Sequence, residues 1–314
     1  MLENNYINFN KALKPVLIVY AAVIVIGIVL SIIFGIKLDI NFSGGTRIAY
    51  SYTGTVDTAA VTTTATEALG QTATVTLSSG MNDSLQQLII TLPGNSAIST
   101  ELQDKLTTEL QADFTGNAFT LSESNSVSPT IAGNFFAKSI AALVIAGALV
   151  VIYVGVRFRN IGGVSAALMA FVALILDCVV AFLACVAFAL PVDSNLIAVI
   201  LTLLGYSLND TIVIYDRVRE NKRLYPAKQL DELVDESINT VKTRNFVTTL
   251  TTTLAIITII VVSETYGLTT LRSFAIPMAF GIVSGCASSL FVSGPLWVKW
   301  KSFSDKRKTS KRKK

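Results

Sequence analysis

Residues 163–190, GVSAALMAFVALILDCVVAFLACVAFAL, carry a single charged side chain, Asp177. A helix crossing about 30 Å of hydrocarbon needs about 20 mostly apolar residues, so this stretch is long enough to span a membrane. Working outward, five further runs read the same way: 16–36, 138–156, 195–215, 246–263 and 273–298. The whole chain agrees, with 52% hydrophobic and 15% charged residues, against about 25% charged in soluble domains. The run from Val16 to Ile36 outlasts a signal-peptide core, and no A-x-A-type cleavage site follows it. It is read as a retained first helix, which makes six spans.

Charge sets the expected orientation. Basic residues cluster at Lys11 and Lys14 in segment 1–15, at Arg157 and Arg159, and from Arg217 to Arg223 in the loop 216–245. They cluster again in the tail 299–314. With six spans all of these fall on one side, which the positive-inside rule makes cytoplasmic, both termini included. The stretch 37–137 falls on the outer side and carries acids such as Glu67, Asp83, Glu101, Asp104, Glu109 and Asp113. The tail reads as an orientation anchor attracted to anionic lipid; docking on an RNA-rich or acidic partner such as a ribosome is the sharper alternative.

Within the outer stretch, strands are expected at 47–52, 73–77, 86–92 and 117–122, and helices at 56–69 and 98–114. Leu102, Leu106 and Leu110 give the second helix an apolar face. Ser79-Gly80, Asn82-Asp83 and Pro93-Gly94-Asn95 supply turns. The order β-α-β-β-α-β is that of the ferredoxin-like split fold. Gly44-Gly45 precedes the first strand and is read as a tight turn. Nothing in this domain looks catalytic.

Histidine is absent and the three cysteines lie inside apolar runs. Proton handling is therefore left to carboxylates or a perturbed basic or tyrosine group, and no disulfide or metal spacing appears. No cofactor is expected, and 217–243 lacks a phosphate-binding loop of the G-x-x-x-x-G-K type. Its DELVDESI segment reads as an interfacial helix. Ionisable groups at membrane depth are functional candidates by default: Asp177, Asp210 and Arg244. Tyr206, Asn209 and Asp210, at i, i+3 and i+4, form one polar stripe. Asp177 shares a face of small residues with Ala166, Ala170, Ala173 and Ala181, so it points at another helix. It serves either as half of a helix–helix hydrogen bond or in proton transfer. Asn245, Thr248, Thr249 and Thr252 line the fifth span, the threonines bonding back to their own helix. Gly281 and Gly285 with Ser288 and Ser289 form a close-packing face on the sixth. Arg244 is a functional candidate or a snorkelling boundary arginine, and Asp210 is the residue expected to carry the proton.

The run Gly205-Tyr206-Ser207-Leu208-Asn209-Asp210-Thr211-Ile212-Val213-Ile214-Tyr215-Asp216-Arg217-Val218-Arg219-Glu220-Asn221 resembles the signature of the SecF family of protein-export subunits. Asn41-Phe42-Ser43-Gly44-Gly45-Thr46 resembles its D-F-x-G-G-T motif, and Glu123-Ser124 with Pro129 resembles the entry to its second span. Asp177, Ser237-Ile238-Asn239 with Arg244, and Leu271-Arg272-Ser273-Phe274-Ala275 resemble later blocks. Asn41 stands where the family has Asp, Leu176 where it often has His, and Ser273 where it often has Asp. The resemblance implies the fold of resistance-nodulation-division transporters, pairing with SecD, association with the SecYEG channel and a YajC-like accessory subunit, and a bacterial inner-membrane location. It further implies use of the proton motive force, with no enzymatic step, to move preproteins late in translocation. Asp210 and Arg244 are then the proton-passage residues, with Asn209 and Asp177 beside them. Phe42, Gly44, Gly45, Gly205, Tyr206, Asp216 and Arg217 are motif positions. The competing readings are half of a proton-coupled small-molecule or lipid exporter, and a passive scaffold.

Overall fold

The computed structural model describes residues 6–79, 86–94 and 98–312. The expected turn residues Gly80, Asn82, Asp83 and Asn95 and the last two lysines of the tail lie outside the described residues. Helix α1 (Phe9–Phe34) is capped by Asn8, whose side chain accepts from the Lys11 N–H at 2.9 Å. A single turn, α2 (Ile40–Ser43), leads into β1 (Gly45–Tyr52), α3 (Thr58–Leu69), β2 (Thr74–Ser79), β3 (Gln86–Leu92), α4 (Thr100–Asp113) and β4 (Thr120–Val127). The chain then runs through α5 (Pro129–Arg157), α6 (Val164–Ala187), α7 (Ser194–Leu224) and α8 (Leu230–Tyr266). It ends with α9 (Thr269–Ser288), a π turn at Ser289–Ser293 and α10 (Gly294–Arg312). Among the described residues, six helices are long and apolar enough to cross a membrane: α1, α5, α6, α7, α8 and the stretch Thr269–Ser304.

The helices outrun their apolar runs. Helix α8 has 37 residues, about 55 Å at 1.5 Å per residue, nearly twice the hydrocarbon thickness. Its first turns are the DELVDESI segment, which is continuous with the span rather than a separate helix. Leu233, Val234 and Ile238 are buried in one cluster with Phe9, Trp297 and Val298. No breaker separates Leu230 from Tyr266, so the apolar side of these turns continues the helix into the bundle. Asp235 and Asn239 on the same turns accept the backbone N–H groups of Asn10 and Ile7, at 3.1 and 3.0 Å, tying the start of α1 to α8.

Small residues let the spans approach. Ala166, Ala170, Ala173 and Ala181 on α6 are all essentially inaccessible. On α9 a Cβ at Gly281 would run into Leu203 of α7, and one at Gly285 would lie 3.0 Å from the Ser207 hydroxyl. Without a hydrophobic drive between helices in lipid, such close packing is what holds them together.

The domain between α1 and α5 is a four-stranded sheet of order β2-β3-β1-β4, every neighbouring pair antiparallel. One sheet face buries Ile48, Tyr50, Tyr52, Leu88, Ile90 and Leu92 against Val61 and Ala65 of α3 and Leu106 and Leu110 of α4. Leu102, expected on that face, is exposed, because it sits in the first turn of α4, past the edge of the sheet's cover. Strand β4 begins later than expected: Phe119 packs into the core instead, and the β1–β4 register shifts at Ala49/Tyr50.

The domain is fastened to the helices at a short junction. Lys37 and Asp39 bond Val192, in the α6–α7 connection, through backbone contacts of 2.8 and 3.2 Å. The Phe42 ring lies 5.6 Å from each of Phe135 and Phe136 on α5. Asp193 caps α7 through the N–H groups of Asn195 and Leu196, at 3.0 and 3.2 Å. Its carboxyl is pushed above the ordinary value, chiefly by burial. Gly44 and Gly45 have φ of +75° and +132°, where a side chain is strained. A Cβ at Gly45 would also strike the Leu92 carbonyl oxygen. Gly45→Ala is therefore expected to cost about 2 kcal/mol and to lower the melting temperature of the full chain by about 5 °C. Gly133→Ala, in open space on α5, should leave it unchanged or raise it slightly.

Candidate functional site

Asp177 lies midway along α6 with no exposed surface. Its carboxylate accepts from the hydroxyls of Ser207 on α7 at 2.6 Å, Ser284 on α9 at 2.8 Å and Ser288 on α9 at 2.9 Å. The Tyr20 hydroxyl of α1 sits 3.0 Å from both the Ser284 hydroxyl and the Ser284 carbonyl oxygen. Four helices thus meet through one acid. A carboxylate is acceptor-only when ionised, and here three donors converge on it, so it has the helix–helix pairing that the sequence left as one of two roles. Ser207, Ser284 and Tyr20 were not singled out from the sequence. Ser284 had a usable signal: it lies between Gly281 and Ser288 on the same close-packing face. Ser289, by contrast, bonds back to the Cys286 carbonyl at 3.1 Å.

Asp210 is one turn further along α7 from Ser207 and is 3% exposed. Among the described residues no hydrogen bond or ion pair reaches its carboxylate. Only its backbone carbonyl is engaged, by the Asn245 side-chain amide of α8 at 3.4 Å. Beyond Asn245 on α8, the Thr253 hydroxyl is buried without a partner among the described residues, and the buried Thr249 hydroxyl has the Cys286 thiol beside it. Arg244 precedes Asn245 and is exposed, and it forms no ion pair with Asp210. The space between α7 and α8 is therefore polar and unsatisfied, while the neighbouring junction around Asp177 is fully bonded. An unpaired buried polar group is costly, so this is a place where a proton, a cation or a helix shift has something to gain.

The expected stripe on α7 divides. The Tyr206 hydroxyl turns to α8, donating to Thr252 Oγ1 at 3.0 Å and to the Thr248 carbonyl at 3.3 Å. Thr252 also bonds back to Thr248, as expected of these threonines, at 3.0 Å. Asn209 is exposed, and so is Gly205, with nothing near its missing side chain. The division follows from helix geometry, since adjacent residues sit about 100° apart and Asn209 cannot share the wall that buries Asp210. Asp216 pairs with Arg219 at 2.9 Å and Arg157 at 3.3 Å, and Arg217 pairs with Glu220 at 2.8 Å. Phe42, Gly44 and Gly45 stand at the other end of the helices, in the domain junction.

Removing the shared acid should loosen the bundle. Asp177→Ala is expected to leave three buried hydroxyls without their acceptor and cost about 3 kcal/mol. That reads as a clear drop in the melting temperature of the purified chain, whereas Asn209→Ala, at an exposed position, should leave it unchanged.

Residues 106–303 match the family described as protein export membrane protein SecD/SecF, C-terminal. The protein translocase subunit SecF of Alicyclobacillus acidocaldarius is 32% identical over 300 residues, covering 92% of this chain and 91% of that protein. The SecDF subunit of Bacillus subtilis is 30% identical over 304 residues, which are 94% of this chain but 38% of that protein. Among solved structures, SecDF from Thermus thermophilus, a translocon-associated membrane protein, superposes with a TM-score of 0.81 at 26% identity. The match covers 95% of this chain and 39% of that one. A SecDF structure in a super-membrane-facing form matches with a TM-score of 0.67, covering 99% of this chain and 41% of that one. With the family's signature over more than half of its length and a SecF subunit aligned along nearly all of it, the chain belongs to the SecD/SecF family of protein-export membrane proteins.

Proposed function

We propose that this chain is the SecF subunit of a bacterial protein translocase, working with a SecD partner to draw preproteins across the inner membrane late in export through a SecYEG channel. The names of its relatives support the export role, and relatives in which SecD and SecF are named as one chain support the SecD partner. A YajC-like accessory subunit is a further expected partner. The proton motive force supplies the energy, and no chemical step is catalysed.

One observation carries the mechanism: Asp210 is buried, and among the described residues its carboxylate has no hydrogen bond or ion pair, beside a fully bonded junction. Arg244 stands on the facing helix, next to the asparagine that touches the Asp210 backbone. In this reading Asp210 and Arg244 pair in one conformation and part in another, and the described conformation is the parted one. Protonation of Asp210 releases Arg244, and the gain or loss of that pair shifts the balance between the two conformations. The bundle end bearing Arg157, Arg159 and Arg217 to Arg223 faces the cytoplasm, as its basic charge requires, and the sheet domain faces outward. We read that domain as ferredoxin-like, on its β-α-β-β-α-β order and antiparallel sheet. It couples to the helices through the Phe42 ring contacts and the Val192 backbone bonds. Its aromatic residues Tyr50, Tyr52, Phe114 and Phe119 pack into its own core, which does not favour a small-molecule exporter.

In cells lacking their own SecF, wild type is expected to restore export of a slowly translocating preprotein, and Asp210→Asn to fail at equal membrane abundance. Equal rescue by both would leave only a scaffold role. A six-helix half has no symmetry partner, so the chain alone in liposomes should pass no protons; robust flux without SecD would contradict the shared pathway.

A further inference from the structure

At the basic end of the bundle, α7 and α8 part around an open cleft of about 650 Å³, lined among others by Arg217, Arg223 and Arg244 and by the apolar side chains of Val213, Leu224 and Val241. Both carboxylates of the cleft are already committed: Asp216 to Arg219 and Arg157, and Glu220 to Arg217. Among the described residues, Arg223 and Arg244 have no ion pair or hydrogen bond, and the Arg217 Nε is buried without a partner. Two guanidinium groups on two helices, Arg223 and Arg244, therefore line one concavity without an ion pair among the described residues, beside Arg217, which Glu220 holds.

The surroundings say which anion. The cleft begins at Val213, where the apolar run 195–215 of α7 ends, and in the orientation proposed above that end of the helix meets the lipid headgroups. Leu224 in its lining is 60% exposed. From Arg244 an exposed apolar track descends α8 through Val247, Leu250 and Leu254, at steps of three or four residues that keep one helix face. A soluble phosphate would use the arginines and leave this track idle.

We infer that the cleft between α7 and α8 is a binding site for an anionic phospholipid. Its phosphodiester lies between Arg217, Arg223 and Arg244, and an acyl chain lies along Val247, Leu250 and Leu254. Guanidinium groups suit this ligand because their planar, weakly hydrated forks donate to two phosphate oxygens at once. Basic pockets between membrane helices favour such headgroups over neutral ones. The bound phosphate also lies beside Arg244, where it offers that side chain a second anionic partner.

The test uses the full chain, purified and delipidated in a neutral detergent, and leaves Arg244 intact. Phosphatidylglycerol, phosphatidylcholine or inorganic phosphate is titrated while bound lipid is counted by native mass spectrometry and the melting temperature is followed. Phosphatidylglycerol is expected to bind at one saturable site, about tenfold tighter than phosphatidylcholine, and to raise the melting temperature. Arg223→Gln, which breaks no contact among the described residues, should weaken that binding about fivefold. Arg217→Gln with Arg223→Gln should abolish the preference, and Lys11→Gln, an exposed basic residue at the same end, should keep it. Equal affinity for the two lipids, or undiminished preference in Arg223→Gln, overturns the site. A full melting shift from inorganic phosphate alone, or displacement of the lipid by a bound SecD partner, overturns the assignment to lipid.

Discussion

The bundle depends on one buried acid. Asp177 is drawn into hydrogen bonds by serines of α7 and α9, and Tyr20 of α1 bonds to one of those serines. Lipid offers helices little hydrophobic incentive to associate, so their relative positions come from close packing and from polar groups that have nowhere else to go. Three hydroxyls converging on one carboxylate fix the rotation of α6, α7 and α9 together. The alanine face of α6 and the glycines of α9 bring the backbones near enough for these short side chains to reach. Shifting α6 by a residue would leave the carboxylate buried and unbonded, while shifting α7 would cost it one donor and shifting α9 two.

That fixed junction gives the neighbouring site its character. With Ser207 held, Asp210 is carried one turn further into the wall between α7 and α8, where Asn245 bonds its backbone carbonyl and, among the described residues, no donor bonds its carboxylate. A fully bonded acid thus stands one helix turn from a buried acid whose carboxylate no bond reaches among the described residues, the contrast on which the proposed proton coupling rests. At the far end, the sheet domain is tied by Val192 to the connection between α6 and α7 and by Phe42 to α5. A displacement of α7 therefore has a direct mechanical route into the domain.

Much of this was legible in the sequence because a membrane narrows the choices. An apolar run of spanning length has to be a helix, and Asp177 on an alanine face has to meet another helix. Gly281 and Gly285 announced the contact that α9 makes with α7. What escaped was set by distant partners: nothing local says that Ser207, Ser284 and Ser288 bond Asp177, which is 30, 107 and 111 residues away. The ends of α7 and α8 escaped because hydropathy marks where lipid stops and not where the helix does. Asn209 and Leu102 were placed by spacing alone. Both proved exposed, because which face of a helix is covered depends on the length and angle of its neighbour. Asp210 was readable as a buried acid, but its lack of a partner was not.

The proposed coupling requires Asp210 to change protonation while Asp177 remains bonded. Infrared difference spectroscopy on the reconstituted complex with its SecD partner, across a pH step, reads carboxyl protonation directly. The account predicts a protonated-carboxyl band that appears on acidification and is lost in Asp210→Asn. A band that survives unchanged in Asp210→Asn would place the proton elsewhere and contradict it.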